Sequence, residues 1–322
     1  MDLLPTDEQD EIAAQVRSVL RERFDIGSPT TGATWHTCAE LGWFGLGLSE
    51  ADGGVGYTTV EETLLFEELG AAAAAGPLLG TQVAAHVAAA AGATDLVASI
   101  LAGDHRVAIA EPRGTDTAVT IVDSDMASLV LRLDSGSASL FELSSLTDVE
   151  RVDSIDELVH IDAAVLDDAP LVAAIGSAFW NRATLLSAAY LAGIAGAVTS
   201  QSTQYAKDRQ QFGQPIGAFQ AVKHRCADMA TRAEAARAQS RFAALVVRDG
   251  LPGAAFQVHS ARVVASAAAI ANAQTNIQNH GGIGFTWEHT AHRYLTRARI
   301  WSQVIGNQPM HLGAALDAEF GN

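Results

Sequence analysis

Apolar positions recur along this chain with two rhythms, a helical one at either end and a shorter one between. Near the N-terminus Ile12, Val16, Leu20 and Phe24 fall on one helical face, with Thr6 placed to cap the helix and Glu8 and Asp10 in or near its first turn. A loop, SEADGGVGYTT, follows, and then a helix from about Val60 to Leu69. From residue 106 the rhythm shortens to β-like runs, VAIAEP, AVTIVDS, ASLVLRLDS and ASLFELSS, separated by Gly, Ser and Asp. From about Ala173 the helical period returns in long segments. Val222, Cys226, Met229 and Ala233 make one core-facing stripe, and Val258, Ala261, Val264, Ala265, Ala268 and Ala271 another. So many small residues predict close helix–helix packing. The pattern predicts a mainly α chain with a helical region over 1–105, a small β region over 106–172 and a helical bundle over 173–322.

Composition narrows the partners. The chain has 322 residues, enough for two or three domains with a sizeable core. A formal charge of -17 argues against nucleic acid or an anionic membrane surface as partner. Any anionic ligand therefore needs a local positive site. Residues 70–94 and 183–206 carry no Asp, Glu, Lys or Arg, but they are rich in Ala, Gly, Ser, Thr and Gln and read as helices buried inside protein rather than membrane spans. The acidic start MDLLPTDEQDE reads as a helix and not a signal peptide. Cys38 and Cys226 form neither a disulfide framework nor a zinc pattern, which fits a reducing cytoplasm.

Two segments stand out chemically. Tyr205–Gln220, YAKDRQQFGQPIGAFQ, ends one helix in a charge cluster, turns at Gly213-Gln214-Pro215 and restarts a helix near Gly217. Gln278–Phe285, QNHGGIGF, ends another helix at Gly281-Gly282. Both set an Arg or Gln beside bare backbone at a helix end, which suits a large anion. Arg209 has the planar fork that pairs with phosphate oxygens, Phe212 can pack on a flat ring, and Phe219 and Gln220 open a helix whose free N–H groups favour anions. On residue chemistry alone an ordinary helix–turn–helix with a solvated Arg and a glycine C-cap is the simpler reading.

These segments, with AELGWFGLGLSEADGGVGYTTVEETLLFEELG, IAEPRGTD, AVKHRCADMA and NHGGIGFTWEH, resemble the acyl-CoA dehydrogenase family of flavoproteins, in order and over nearly the whole chain. The resemblance implies an N-terminal helical domain, a middle β domain and a C-terminal four-helix bundle. It implies FAD as cofactor and an acyl-CoA thioester as substrate, with IAEPRGTD as the flavin-side loop. Arg209, Phe212, Phe219 and Gln220 would then contact FAD. Gln278, Gly281 and Gly282 would contact the adenosine half of a FAD held by the neighbouring subunit.

The family's catalytic base is the point of departure. Its chemistry removes an α-proton with a carboxylate while the β-hydrogen leaves as hydride to the flavin. Where that Glu would stand, after the glycine turn, the chain reads RARIWSQVIGN and offers Ile305. At the second position known in the family, on the first bundle helix, it offers a non-acidic residue close to Ala183. No catalytic residue is therefore assigned. Glu288 is a conceivable substitute, more simply read as an acid near a helix start, and the Glu288/His292 pair falls short of a di-iron pattern. His289 and His292 read as surface or bundle-packing residues.

The β region is also short for the family. A reduced β domain and a missing base resemble the short subunit of actinobacterial α2β2 acyl-CoA dehydrogenases of sterol degradation. In these one chain supplies the base and most of the acyl pocket, and the other completes the FAD site. The expectations are a partner subunit of the same family, a bulky steroid-derived acyl-CoA and an electron-transfer flavoprotein as acceptor. Ala189, Gly193 and Gly196 would allow close helix contacts within or between subunits. A self-sufficient homotetramer and a non-catalytic scaffold remain as alternatives.

Overall fold

Thr6 starts the first helix as the pattern predicts. In the computed structural model, which describes residues 4–320, α1 spans Asp7–Arg23. Thr6 and Gln9 form a capping box at its start, and Val16 and Leu20 are buried. After α2 (Gly32–Glu40) the chain reaches α3 (Thr59–Ala71), opened by a second capping box between Thr58 and Glu61. α3 is buried on nearly every side, and α4 (Leu78–Ala90) likewise, which is why neither shows a clean amphipathic stripe. α5 (Thr94–Leu101) closes this helical region.

The middle region is an open sheet of seven strands, where the β-like runs showed four. β1 (Val107–Arg113), β2 (Thr115–Val122), β3 (Leu129–Asp134) and β4 (Ser137–Glu142) match those runs, and β5 (Thr147–Val152), β6 (Ile161–Val165) and β7 (Val172–Ile175) are added. Their order is β5-β6-β2-β1-β3-β4-β7, with β1 and β3 the one parallel pair. Every residue of β5 is exposed, so that edge strand has no alternation to read.

The bundle begins with α6 (Ala178–Asp208), followed by the two-residue strands β8 (Gln210–Gln211) and β9 (Gln214–Pro215). It continues with α7 (Gln220–Arg248), α8 (Ala254–His280), α9 (Ala291–Trp301) and α10 (Gln308–Phe320). α8 lies against α6, α7, α9 and α10. Of its stripe, Val258, Ala261, Ala265 and Ala268 are buried and Ala271 half-buried, while Val264 is 36% exposed and points outward. α6 is long and apolar enough to cross a membrane by composition, yet 78% of that stretch is buried inside the protein. Glycine sets how closely α6 approaches α3. A Cβ at Gly193 would overlap the Glu67 carbonyl and one at Gly70 the Tyr190 carbonyl, whereas Gly196 faces open space.

One buried network ties the three regions together. Arg297 of α9 donates to Asp156 Oδ2 at 2.6 Å, to the Ala73 carbonyl at 2.6 Å and to the Tyr190 hydroxyl at 3.1 Å. The Tyr190 ring stacks on Trp301 with centroids 3.7 Å apart. Removing one member of such a buried pair costs about 3–5 kcal/mol, because the other charge is left without a partner.

Candidate flavin and acyl-CoA site

The first segment folds as a tight hairpin. β8 pairs with β9 so that Gln211 faces Gln214, leaving Phe212 and Gly213 as a two-residue turn, both at positive φ (52° and 78°). The turn therefore sits one residue earlier than the sequence suggested, and Gln214-Pro215 form the return strand. Left-handed backbone at both turn positions matches the twist of a two-residue hairpin. Gly213 adopts it freely; Phe212 does so at a steric cost. Phe212 is also 92% exposed, and its ring meets Phe219 edge-on at 6.0 Å. A short 3-10 turn (Ile216–Ala218) precedes α7, so the helix proper starts at Gln220 rather than near Gly217, with Phe219 as N-cap and no side-chain cap.

Arg209 is the C-cap of α6, exposed, and makes no ion pair among the described residues. The chain has two lysines, Lys207 and Lys223, and both flank this hairpin. With Arg209, His224 and Arg225 they gather positive charge at one place on a chain of charge -17.

The second segment lies at the same end of the bundle. Tyr205 of α6 stacks on His280 of α8 at 4.3 Å, and Asn279 donates to Ser202 Oγ at 3.3 Å. Gln278 is exposed, Gly281 (φ 64°) ends α8, and a Cβ on Gly281 or Gly282 would meet nothing within 4 Å. Free backbone, an uncommitted guanidinium and an exposed aromatic ring are the parts a dinucleotide's pyrophosphate and rings require. The residues present fit FAD.

A second feature joins regions far apart in sequence. A cavity of about 520 Å³ is walled by Ile109–Pro112 of β1, Leu133–Ser135, Trp180 of α6 and the loop running from α9 to Met310. The IAEPRGTD segment and the loop carrying Ile305 thus share one cavity. Ile305 lies in that wall, 2% exposed and at φ 62°. For a β-branched residue this left-handed backbone is strained, at a cost of about 1–2 kcal/mol. Two charged groups hold it there. Arg262, fully buried on α8, donates to the Trp301 carbonyl at 2.5 Å and the Val304 carbonyl at 2.7 Å. Glu111 accepts the Ile305 N–H at 2.5 Å. Burial pushes the Glu111 carboxyl up to about 7, against the pull of that N–H and of Arg262.

Ala183, at the other base position, is fully buried. Beside it Arg182 pairs with Glu62, which also accepts from Gln82 and His86 at 2.8 Å each. Burial opposes the Glu62 charge, but Arg182 and these donors outweigh it and hold the carboxyl below its ordinary range. Both oxygens of that acid are engaged and its charge is held by Arg182, which makes it a poor acceptor for a substrate proton. Glu288 lies exposed in the turn before α9, outside the first helical turn where an acid was expected, and does not line the cavity. His289 Nδ1 accepts the Ala291 N–H at 3.1 Å and His292 lies edge-on to Trp287 at 4.8 Å, both packing roles. Sequence reasoning missed Glu111 and Arg262. Glu111 was visible within IAEPRGTD, but nothing local reveals that it meets residue 305.

Fold and site together are those of a flavin-dependent acyl-CoA oxidoreductase, and the chain belongs to the acyl-CoA dehydrogenase family. Residues 6–102 match the model of the acyl-CoA dehydrogenase N-terminal domain and residues 174–317 that of the C-terminal domain. The acyl-CoA dehydrogenase IpdE2 of Mycobacterium tuberculosis is 32% identical over 283 residues, 88% of this chain and 84% of that protein. Among solved structures, the ChsE4–ChsE5 complex from Mycobacterium tuberculosis superposes with a TM-score of 0.86 at 22% identity, covering 100% of both chains. The Tcur3481–Tcur3483 steroid ACAD gives 0.83 at 24% identity, covering 97% of this chain and 98% of that one. Members of this family use FAD, and FAD is the cofactor.

Proposed function

We propose that this chain is one subunit of a heteromeric, FAD-dependent acyl-CoA dehydrogenase that introduces an α,β double bond into a bulky, steroid-derived acyl-CoA thioester. Arg209, Phe212, Phe219 and Gln220 hold one FAD, and Gln278, Gly281 and Gly282 complete the site of a neighbouring subunit's FAD. A partner chain of the same family supplies the base that takes the α-proton. FAD, when bound, accepts the hydride, and an electron-transfer flavoprotein in the cytoplasm reoxidises it.

The observation that carries the reading is the buried aliphatic side chain of Ile305, in a chain that keeps an outward-facing anion cradle at the far end of α6, at the α6–α7 turn. An aliphatic side chain cannot accept a proton, and Glu288 lies outside the cavity. That ChsE4–ChsE5 is a complex of two chains, and Tcur3481–Tcur3483 a steroid ACAD, supports a paired assembly and a steroid-type substrate.

Co-expression tests it. The chain is produced alone and together with acyl-CoA dehydrogenase-like chains from the same source as candidate partners, and flavin absorbance is recorded after purification. Yellow, active protein on co-expression alone is the expected result. Yellow, active protein from this chain by itself would replace the reading with a self-sufficient enzyme, and colourless protein in both cases with a scaffold.

A further inference from the structure

Glu111 turns a carboxyl oxygen to the cavity that no protein group claims among the described residues. Glu111 Oε1 accepts the Ile305 N–H, while Oε2 has no partner among the described residues, and the residue lines the cavity beside Ile305, Gly306, Trp180 and Met310. The surroundings decide which protonation state it keeps. Arg262 of α8 is the facing cation, and behind it His259 of α8 and His311 of α10 approach Nδ1 to Nδ1 at 3.0 Å. Burial holds those imidazoles down to about 4 and about 3, so they stay neutral near physiological pH. On β3, Arg132 and Asp134 pair with each other at 3.6 Å. On β2 the residue opposite Glu111 is Thr120, and α6 contributes Trp180, neither of which titrates there. Glu111 is thus left with one cationic neighbour, one N–H donor and extensive burial, and the burial prevails.

In the neutral acid, Oε1 is engaged as an acceptor, so the proton sits on Oε2. Oε2 faces the cavity without an acceptor from the protein, so a ligand oxygen placed opposite it would receive that O–H. We propose that Glu111 is a ligand-contacting residue of this cavity, donating a hydrogen bond from Oε2 to a carbonyl oxygen of the molecule bound there. Carbonyl oxygens of this kind are carried both by the flavin ring and by a thioester. The inference rests on reading the cavity as the flavin and acyl-CoA site.

The test measures affinity against pH, between about pH 6 and about pH 8.5, for the chain co-purified with its partner subunit. FAD and the CoA thioester of a steroid carboxylic acid are titrated separately, by fluorescence. For the contacted ligand, wild-type affinity falls about tenfold as Glu111 ionises. Glu111→Gln keeps an N–H donor but cannot ionise, so its affinity stays level across the range. Glu111→Met fills the space without a donor and binds about tenfold more weakly even at the lower pH. A level profile for Gln with FAD assigns the contact to the flavin ring, and with the thioester to the acyl carbonyl. If ligands bind but Glu111→Gln reproduces the wild-type pH profile for both, the Glu111 contact is wrong and the cavity reading stands. If neither ligand binds the wild-type complex, both are overturned.

Discussion

The α6–α7 hairpin and the loop after α9 make an instructive pair. Each carries a side chain in left-handed backbone, Phe212 in one and Ile305 in the other, and each belongs to the chemistry of the family. The hairpin keeps its chemical side chains, and they are exposed: Arg209 without a carboxylate partner and Phe212 with its ring in solvent. The loop has its backbone clamped by Arg262 and Glu111 and presents an alkyl group where the family resemblance places a carboxylate. On the proposed reading, a binding role stays with the hairpin's side chains, and the loop supplies a wall. Retained geometry and retained chemistry are separate properties.

The largest effect should come from breaking the hairpin side. Arg209→Ala removes the main countercharge to the pyrophosphate and should weaken FAD binding by about 10²-fold, so that the complex purifies without flavin. Stoichiometric FAD in that variant would remove Arg209 from the site. Breaking the loop side should instead cost stability. Arg262→Met leaves two buried carbonyls without donors and should destabilise the chain by about 3 kcal/mol in urea unfolding, with loss of the loop's amide protection in hydrogen exchange.

Glu111 makes stability depend on pH, with a definite sign. Its carboxyl holds a proton more tightly when folded, at about 7, than at its ordinary value of 4.5. Its contribution is therefore complete below about pH 4.5 and is lost as pH rises through 7. Relative to Glu111→Gln, wild-type stability should fall by on the order of 2 kcal/mol between those limits, read from urea midpoints at several pH values. Glu288→Gln defines the smallest effect. It should leave turnover of the complex within about twofold, whereas a loss of about 10²–10⁴ would make Glu288 the acid–base group.

The two regions also differed in how far the sequence exposed them. The helix–turn–helix was legible because it is set locally: residues 209–220 are a dozen consecutive positions that determine their own turn. The turn's placement shifted, because Phe212 takes positive φ that the sequence would assign to glycine alone, and the start of α7 moved to Gln220 behind a short 3-10 turn. The α1 cap and the helical stripes were legible for the same reason. The cavity was not. Glu111 and Ile305 are separated by 194 positions, and Arg262 reaches the loop from a third element. Such a contact exists only once the sheet is seated against the bundle. β5 escaped notice because an exposed edge strand has no buried face to impose alternation.

The central claim is that this chain holds flavin but does not itself abstract the proton. The direct measurement is exchange of the acyl-CoA α-proton with deuterated solvent, followed by NMR under anaerobic conditions, for this chain with excess FAD added and for the co-purified complex. The account predicts exchange by the complex and none above the buffer rate by the chain alone. Exchange by the FAD-loaded chain alone would show that a carboxylate within it is the base, and would contradict the account.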